Sequence, residues 1–324
     1  MHRVISFFLA AGLCLAANTA LAQPQNQWTR VILNGRPTGV FFNDGDSFRV
    51  MEGPLKHSKA RLAGFNTLES YGPCHLWGNW TMKELYRYAT LGTQHAVNGG
   101  LWTCTGDMNK KDGYGRVLWD CPALRDSQIR LGLAHAMTVT SEGAHPDAVK
   151  AQEEAIRAKR GIWAHGVPDY VLTSLHSTTE NYDKGPYNRM IASSNGHSKK
   201  WVHEHGYREC QTACQPRDDL DPAKVSAFVK EQLSDPTYAG YFPTANGAAP
   251  MSPEVALTGY ITEFAKEGWA VRDIPNESVR WKIEKPIAAA LAAGTLTHAG
   301  KPMACMLYVA FQRRYGHTRA ECLK

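Results

Sequence analysis

Residues 44–47 of this chain read Asp-Gly-Asp-Ser, residues 61–69 read Arg-Leu-Ala-Gly-Phe-Asn-Thr-Leu-Glu, and residues 112–116 read Asp-Gly-Tyr-Gly-Arg. The three segments supply carboxylates, two arginines and a tyrosine. Carboxylate and amide oxygens bind hard cations such as Ca²⁺, and the planar guanidinium of arginine can give a phosphate two parallel hydrogen bonds. Together the segments predict a site that binds a metal ion and acts on a phosphodiester.

The sequence around these segments alternates between short strand signals and helical ones. The predicted strands are residues 28–33, 40–51, 58–64, 101–104 and 116–121, separated by turn signals such as Asn34-Gly35. The predicted helices are residues 76–97, 126–135 and 146–160. Five short strands with helices between and after them predict an α+β domain on a five-stranded barrel of the oligonucleotide-binding (OB) type.

The first 22 residues have the pattern of an export signal. His2 and Arg3 precede an apolar run over residues 4–17, and residues 20–22 (Ala-Leu-Ala) have the small-residue spacing of a cleavage site. The run is short for a membrane anchor, which takes about 20 apolar residues. We therefore expect cleavage after Ala22 and an exported mature chain, periplasmic or secreted, without a membrane attachment.

Charge and length predict two domains of different character. Residues 23–168 hold 17 basic and 13 acidic side chains, whereas residues 169–324 hold 18 and 17. A mature chain of about 300 residues exceeds the usual size of one domain, and a glycine and proline near Pro168 indicate the boundary. The small basic excess favours a polyanionic partner only weakly.

The cysteines that follow residue 22 are odd in number: Cys74, Cys104, Cys121, Cys210, Cys214, Cys305 and Cys322. In an exported chain we expect disulfides, with at least one thiol left over. Cys104 and Cys121 flank a turn-rich segment and are predicted to pair across a hairpin. Cys210 and Cys214, near His203 and His205, allow either disulfides or a zinc site, and their spacing favours disulfides.

In their order and spacing, the segments of residues 30–165 resemble the staphylococcal nuclease (thermonuclease) family. The resemblance includes the strands, the three motifs, a Leu-Gly-Leu-Ala segment at residues 131–134 and the closing Gly-Ile-Trp at residues 161–163. It implies an OB-type barrel and Ca²⁺-dependent cleavage of DNA, RNA or both. Residues 169–324 resemble no family, and we expect a mainly helical domain there. Its predicted helices are residues 222–233, 253–266, 286–293 and 303–315.

The resemblance implies which residues bind the metal ion. Asp46 and the Thr67 main-chain oxygen are expected to bind Ca²⁺ directly, with Asp44 acting through water. Asn66 stands where the family usually has a second aspartate. Its amide oxygen can still bind Ca²⁺, but the lost charge predicts weaker binding or a preference for another divalent ion.

The resemblance also implies the residues that carry the reaction. Glu69 is expected to be the general base that deprotonates the attacking water. Arg61 and Arg116 are expected to hold the scissile phosphate, and Tyr114 to hydrogen-bond it. A binding-only barrel would need no base, so retention of Glu69 favours an enzyme.

Three further positions depart from the family pattern. Leu68 replaces the proline that usually precedes the glutamate, and Thr138 and Thr140 stand where relatives carry two tyrosines that flank the bound nucleotide. The threonines cannot stack on a base as tyrosines do, so we expect a substrate preference that differs from that of relatives. Asn66 favours the alternative function, a weakened nuclease barrel that binds nucleic acid or a protein. In the second half, residues 199–205 hold lysines, histidines and Trp201 that could extend a nucleic-acid groove, although a solvated polar loop is the simpler interpretation.

Overall fold

The structure of the protein is a computed structural model. It describes residues 27–70, 72–139, 142–180, 186–242, 252–270 and 274–310, together with Ala320 and Cys322. The expected export signal lies outside these residues. Among the helices of the described ranges, none combines the length and the apolar character that crossing a membrane requires.

The described residues of the first half form nine strands and three α-helices. The strands are β1 (Trp28–Leu33), β2 (Arg36–Asp44), β3 (Ser47–Val50), β4 (Lys59–Leu62), β5 (Phe65–Thr67), β6 (His75–Leu76), β7 (Thr103–Lys111), β8 (Val117–Asp120) and β9 (Ala134–Ala136). The helices are α1 (Met82–Asn98), α2 (Pro122–Arg130) and α3 (Pro146–Arg157).

Six of these strands close into a barrel in the order β1-β2-β3-β4-β8-β7. The mixed α/β character and the closed barrel are confirmed, but the predicted count of five strands is wrong. Residues 40–51 form parts of two strands, because the chain turns at Gly45-Asp46 and Asp44 then pairs with Ser47 across the turn. Asp44 and Asp46 therefore lie at the turn between β2 and β3, whereas the other candidate metal ligands, Asn66 and Thr67, lie on β5.

Alternate strand residues point inward and fill the barrel. Val31, Phe42, Phe48, Leu62 and Trp119 are buried in one apolar cluster. The rings of Phe42 and Phe48 meet edge to face with centroids 5.4 Å apart. Burying one such side chain contributes about 1.5–3 kcal/mol, so this core holds the strands that carry the site in place.

The predicted disulfide between Cys104 and Cys121 is confirmed. It joins β7 to the residue that follows β8, with the two Cα atoms 4.2 Å apart. The bridge closes the hairpin whose turn contains residues 112–116, and a loop of this size closed by a disulfide contributes about 3 kcal/mol.

Helix α1 begins six residues later than predicted, at Met82. Thr81 and Glu84 form a reciprocal capping box that fixes this start. Trp77 and Trp80 lie before the helix, and both donate their indole N–H to the main-chain oxygen of Ile162, at 3.2 and 2.9 Å. Their helix-like spacing therefore reflects packing against a distant segment.

The predicted helix over residues 126–135 is wrong in its second half. Helix α2 ends at Arg130, and Gly132 has a φ of 68°, which glycine adopts readily. A Cβ there would lie 2.3 Å from the Arg160 carbonyl oxygen. The chain then forms β9, which pairs with β5 so that His135 lies opposite Asn66.

The second half contains strands as well as helices. The strands are β10 (Tyr170–Ser174), β11 (Tyr187–Ala192), β12 (Ser198–Val202), β13 (Thr212–Cys214) and β14 (Cys305–Leu307). The helices are α4 (Pro222–Leu233), α5 (Pro236–Ala239), α6 (Pro253–Glu267) and α7 (Glu277–Ala293). The expected helices over residues 222–233 and 253–266 are confirmed, and α7 contains the expected residues 286–293 but begins at Glu277. The prediction of a mainly helical second half is therefore incomplete, because its strands also form the sheet β10-β11-β12 and most of the sheet β13-β14-β6.

The helix expected over residues 303–315 is wrong over residues 303–310, and residues 311–315 lie outside the described part of the chain. Strand β14 forms instead, because its main chain is satisfied on both sides by β13 and β6. Its first residue, Cys305, is also bonded to Cys214 of β13. Pairing with distant strands thus outweighs the local preference for helix.

Strand β6 connects the two halves of the sequence. It belongs to the first half, yet it forms the edge of the sheet β13-β14-β6. Nearby, the main-chain N–H of Gly78 donates to the Ala292 oxygen at 2.8 Å. The other sheet, β10-β11-β12, is formed entirely by the second half.

The remaining disulfides join Cys210 to Cys322 and Cys214 to Cys305. Both cysteines that allowed a zinc site are therefore bridged, each to a distant partner, which excludes them as thiolate ligands in this state. Cys74 takes part in none of the three bridges. It is buried, and its thiol contacts the Gly72 oxygen at 3.7 Å.

One buried carboxyl in α7 makes the stability of the protein depend on pH. Glu284 is fully buried, and burial raises its pKa to about 7. It accepts hydrogen bonds from the Thr212 N–H at 3.0 Å and from the Tyr260 hydroxyl at 3.3 Å. The buried Arg280 guanidinium lies 3.9 Å away and opposes the rise.

We expect Glu284 to lower the stability of the protein as pH rises through about 7. Its pKa is higher in the folded state than its ordinary value of 4.5, so its contribution is complete below about pH 4.5 and is lost above about pH 7. Denaturant unfolding at pH 5 to 8 should show a fall on the order of 1–3 kcal/mol that Glu284→Gln abolishes. Glu267→Gln, at the exposed end of α6, is the matched control. The same pH profile in both variants would contradict this assignment.

Candidate active site

The site is built on the turn between β2 and β3, which lies close to two other elements. A Cβ at Gly45 would approach the Thr67 methyl group to 2.5 Å and the Gly92 main chain of α1 to 2.9 Å. Gln128 of α2 donates to the Gly45 oxygen at 3.3 Å and to the Gly92 oxygen at 2.8 Å. Glycine between the two aspartates therefore allows the turn to lie against β5 and α1.

Asp46 is buried, and both of its carboxylate oxygens accept hydrogen bonds. Oδ1 accepts from Arg61 Nη1, and Oδ2 accepts from the Thr67 N–H at 2.7 Å and the Thr67 hydroxyl at 3.2 Å. This single side chain thus contacts both β4 and β5.

The Arg61 guanidinium lies at the centre of the site. Besides Asp46, its Nη2 donates to Asn66 Oδ1 at 2.7 Å and to the Phe65 oxygen at 3.2 Å. Burial lowers the pKa of Arg61 to about 10, so it is still protonated at neutral pH. The charges of Asp44 and Glu69 raise this pKa, whereas that of Arg116 lowers it. Arg61 therefore interacts with every charged residue predicted for the site.

Asn66 is held between Arg61 and β9. Its amide N–H₂ donates to the Thr67 oxygen at 2.6 Å and faces His135 Nε2 at 3.4 Å. His135 donates from Nδ1 to the Ala136 oxygen at 3.1 Å, which leaves Nε2 to accept. Burial lowers the pKa of His135 to about 4, so the ring is neutral and the Asn66 side chain is fixed in orientation.

Asp44 lies at the other end of the turn. Its Oδ1 accepts from the Ser47 hydroxyl at 2.7 Å and from the Asp46 N–H at 3.2 Å. Desolvation raises the pKa of the Asp44 carboxyl, while the Ser47 hydrogen bond and the charges of Arg61 and Arg116 oppose the rise. A carboxylate shared between Ser47 and the turn suits the indirect role expected of it.

Glu69 follows β5 in a half-buried position. Its N–H donates to His75 Nε2 of β6 at 3.2 Å. Burial and the nearby His135 lower the pKa of His75 to about 3, so the ring stays neutral and can accept this bond. His75 thereby fixes the main chain at Glu69, the predicted base.

The hairpin between β7 and β8 brings Arg116 towards Arg61. Arg116 Nε donates to Asp112 Oδ2 at 2.6 Å, and Asp112 Oδ1 accepts from the N–H groups of Tyr114 and Arg116, at 2.9 and 3.0 Å. The Arg116 guanidinium lies 5.3 Å from the centre of the exposed Tyr114 ring. Asp112 thus holds the Arg116 side chain and the main chain at Tyr114 in the hairpin.

The oxygen atoms of the site suit a metal ion in their chemistry. Among the described residues, no three His, Cys, Asp or Glu side chains are arranged to hold one. The available donors are the carboxylates of Asp44 and Asp46, the Asn66 amide oxygen and the Thr67 carbonyl, all hard oxygens that suit Ca²⁺. The Arg61 guanidinium already lies between Asp46 and Asn66. These oxygens therefore already surround one positive charge, and their chemistry suits a hard cation.

Comparison of the chain with known protein families, with curated proteins and with solved structures finds no match in any of the three.

Three site residues were missed by sequence reasoning: His75, His135 and Asp112. The two histidines lie on β6 and β9, strands of two and three residues that carry no periodic signal. Asp112 belongs to one of the three motifs but had no predicted role, although its offset of four residues from Arg116 could have indicated an ion pair. Of the two threonines that depart from the family pattern, Thr138 donates its N–H to the Gly196 oxygen at 2.8 Å, and Thr140 lies outside the described residues.

We expect Asn66→Asp to strengthen Ca²⁺ binding, because it adds a carboxylate next to Asp46 and Ca²⁺ affinity rises with the charge of its ligands. The dissociation constant from isothermal titration calorimetry should fall about tenfold or more, on the order of 1.4 kcal/mol.

The matched control is Asn276→Asp, at the exposed N-cap of α7, where aspartate caps a helix equally well. It adds the same charge away from the site and should leave Ca²⁺ binding unchanged. Equal affinities for all three proteins would show that residue 66 is not a metal ligand.

Proposed function

We propose that the protein is an exported, Ca²⁺-dependent nuclease that hydrolyses phosphodiester bonds of DNA, RNA or both. The observation that carries this proposal is the setting of Arg61. Its guanidinium bonds to Asp46 and interacts with Asp44, Glu69 and Arg116, which come from the β2–β3 turn, the segment after β5 and the β7–β8 hairpin. Two carboxylates, a base and two arginines are the groups that phosphodiester hydrolysis needs.

Export is part of the same proposal. Three disulfides involve six of the described cysteines, and such bridges are typical of proteins that fold in an oxidising compartment. They agree with the leader expected over residues 1–22.

Arg61 and Arg116 would bind the phosphate by exchanging partners. Each is paired with a carboxylate of the protein, Arg61 with Asp46 and Arg116 with Asp112. A phosphodiester anion can replace the carboxylate, because it offers two oxygens to the same planar pair of N–H groups. As charge on the phosphoryl oxygens increases in the transition state, each preorganised donor is worth roughly 2.7–4 kcal/mol.

Glu69 would act as the base. In the proposed step, its carboxylate takes a proton from a water molecule while the water oxygen forms a bond to phosphorus. The bond from phosphorus to one ester oxygen breaks, and that oxygen takes a proton from solvent. Glu69 then returns its proton to solvent, and the products are one phosphomonoester and one hydroxyl. The hydrogen bond from Glu69 N–H to His75 fixes the main chain that carries the base.

The oxygens of Asp46, Asn66 and Thr67, with Asp44 beside them, would hold the metal ion. A bound divalent cation supplies positive charge for a phosphoryl oxygen and lowers the pKa of water. In the structure Arg61 lies against two of these oxygens, so its release towards phosphate would leave Asp46 and Asn66 open to the cation.

The same contact favours a second candidate function. Asp46 and Asn66 are already satisfied by Arg61, and residue 66 carries no charge. A barrel in this state can bind nucleic acid or a protein without cleaving anything, and the binding-module function is the alternative to hydrolysis.

We expect the mature chain to cleave single-stranded DNA, duplex DNA or RNA in Ca²⁺ and to lose this activity in EDTA. Glu69→Gln should lower kcat by about 10²–10⁴-fold, because general base catalysis contributes that much. Gel assays of labelled substrates measure this, with circular dichroism to show that the variant is folded.

Glu231→Gln makes the same chemical change on exposed α4 and should leave the rate unaltered. Failure of the folded wild-type protein to cut any of the three substrates in Ca²⁺, Mg²⁺, Mn²⁺ or Zn²⁺ would overturn hydrolysis and leave the binding module.

A further inference from the structure

We propose that the outer face of strands β11 and β12 binds the phosphate backbone of a nucleic-acid strand that extends beyond the scissile bond. The residues of this face are Tyr187, Arg189, Ser198 and Lys200, which we call the basic strip. The inference rests on the proposed function, since it assigns to the same enzyme a second contact with its polymeric substrate.

The strand register places the basic strip on one face. Arg189 lies directly opposite Lys200, and Tyr187 and Ser198 are each two residues along their strands from this pair. The side chains contact one another: Arg189 donates to the Ser198 hydroxyl at 2.5 Å and to the Tyr187 hydroxyl at 3.0 Å. The ammonium of Lys200 lies 4.7 Å from the centre of the Tyr187 ring, and the Arg189 guanidinium 5.3 Å from it.

This arrangement is unfavourable for the sheet alone. Like charges directly opposite each other on neighbouring strands destabilise a sheet. Among the described residues, no carboxylate forms an ion pair with Arg189 or Lys200, whereas Arg30, Arg125 and Arg217 each have an acidic partner. The strip therefore carries two aligned positive charges that no carboxylate of the described residues pairs with, an arrangement that favours an anion from outside.

Protection of a sheet edge does not account for the strip. Lysines on edge strands prevent pairing with other molecules, and β12 is an edge strand, so this would explain Lys200. Arg189, however, lies on β11, the central strand of the sheet. On the opposite face, Met190 and Trp201 pack into a buried cluster with Leu172, so the outer face is the one available to a ligand.

The strip lies on a hairpin that is attached beside the candidate active site. In the turn of this hairpin, the Gly196 oxygen accepts from the Thr138 N–H and the Asn195 oxygen from the Ala144 N–H, both at 2.8 Å. The neighbouring Met137 contacts Arg61 through its sulfur at 3.8 Å. Arg189 is four residues from Ser193 of the turn, which corresponds to about 13 Å along a strand.

The chemistry of the strip identifies the ligand class. Two cations held side by side on a sheet face by a tyrosine ring and hydroxyl groups suit a chain of phosphates more than a single small anion, because each cation can neutralise one phosphate of the strand. A substrate long enough to extend beyond the active site would gain these contacts, and a very short one would not.

The test measures binding of 5′-labelled single strands by fluorescence anisotropy in Ca²⁺, in a Glu69→Gln background that prevents cleavage. The probes are a 20-nucleotide strand and a trinucleotide, each as DNA and RNA, over a series of salt concentrations. For the 20-mer we expect Lys200→Glu to raise Kd on the order of tenfold. The slope of the logarithm of the binding constant against the logarithm of salt concentration should decrease in magnitude by about 0.7 for each phosphate that the protein no longer neutralises. The trinucleotide should bind unchanged.

Lys200→Glu also gives a readout of folding. It places opposite charges across the strands, so the thermal midpoint should stay equal or rise while binding falls. Arg189→Gln, which removes charge without reversal, should weaken binding of the 20-mer with the same length dependence. Lys230→Glu, on exposed α4, makes the same change in net charge elsewhere and should leave binding unaltered.

Equal decreases in affinity in Lys200→Glu and Lys230→Glu would overturn the proposal, because they would reflect net charge alone. Unchanged binding of the 20-mer in Lys200→Glu, or no binding of any strand, would overturn it as well. The two proposals fail separately. If the unmutated protein cleaves nucleic acid but the strip variants bind the 20-mer normally, the nuclease proposal stands and the strip proposal fails. If binding depends on the strip but nothing is cleaved, the strip proposal stands and the protein is a binding module.

Discussion

The site depends on the buried carboxylate of Asp46, which accepts hydrogen bonds from two strands. One oxygen faces Arg61 on β4, and the other accepts the N–H of Thr67 on β5. A buried charge is tolerated only with partners, so this carboxylate and the Arg61 guanidinium each require the other in the resting protein. Gly45 makes the contact possible, because only a residue without a Cβ lets the turn approach Thr67 and α1 so closely.

The second half of the chain takes part in the first half's site. Strand β6 pairs with β14, and His75 on β6 accepts the N–H of Glu69. The β11–β12 turn is hydrogen-bonded to the segment that follows β9. His135 on β9 lies next to Asn66, and Met137, directly after β9, contacts Arg61. Both contacts fix main chain whose position decides where the site's side chains point. The sequence boundary near residue 168 therefore does not separate the site from the second half.

Local signals predicted the elements they control. Strand β1, the hairpin closed by Cys104 and Cys121, and the helices that begin after Asp221 and Ser252 are set by turns, caps and short-range pairing. Strands β6, β9 and β14 have two or three residues each, and their partners lie from 67 (Thr67 and Ala134) to 231 (His75 and Met306) residues away. No local pattern encodes such pairing, so their histidines were not predicted. The resemblance assigned Arg61 to the phosphate and Asp46 and Asn66 to the metal ion, but it did not predict that Arg61 would lie against Asp46 and Asn66.

This position of Arg61 gives the proposed reaction an order of exchange. In the resting site both arginines are paired: Arg61 with Asp46, and Arg116 with Asp112. In the proposed reaction, a phosphodiester bound by both arginines would release two carboxylates, and the one at Asp46 would then be buried without a positive partner. The oxygens of Asp46, Asn66 and Thr67 would hold a cation in that state, so substrate and metal would favour each other's binding. With asparagine at position 66 the released charge would be smaller than with aspartate, and the cation would contribute correspondingly less to this exchange.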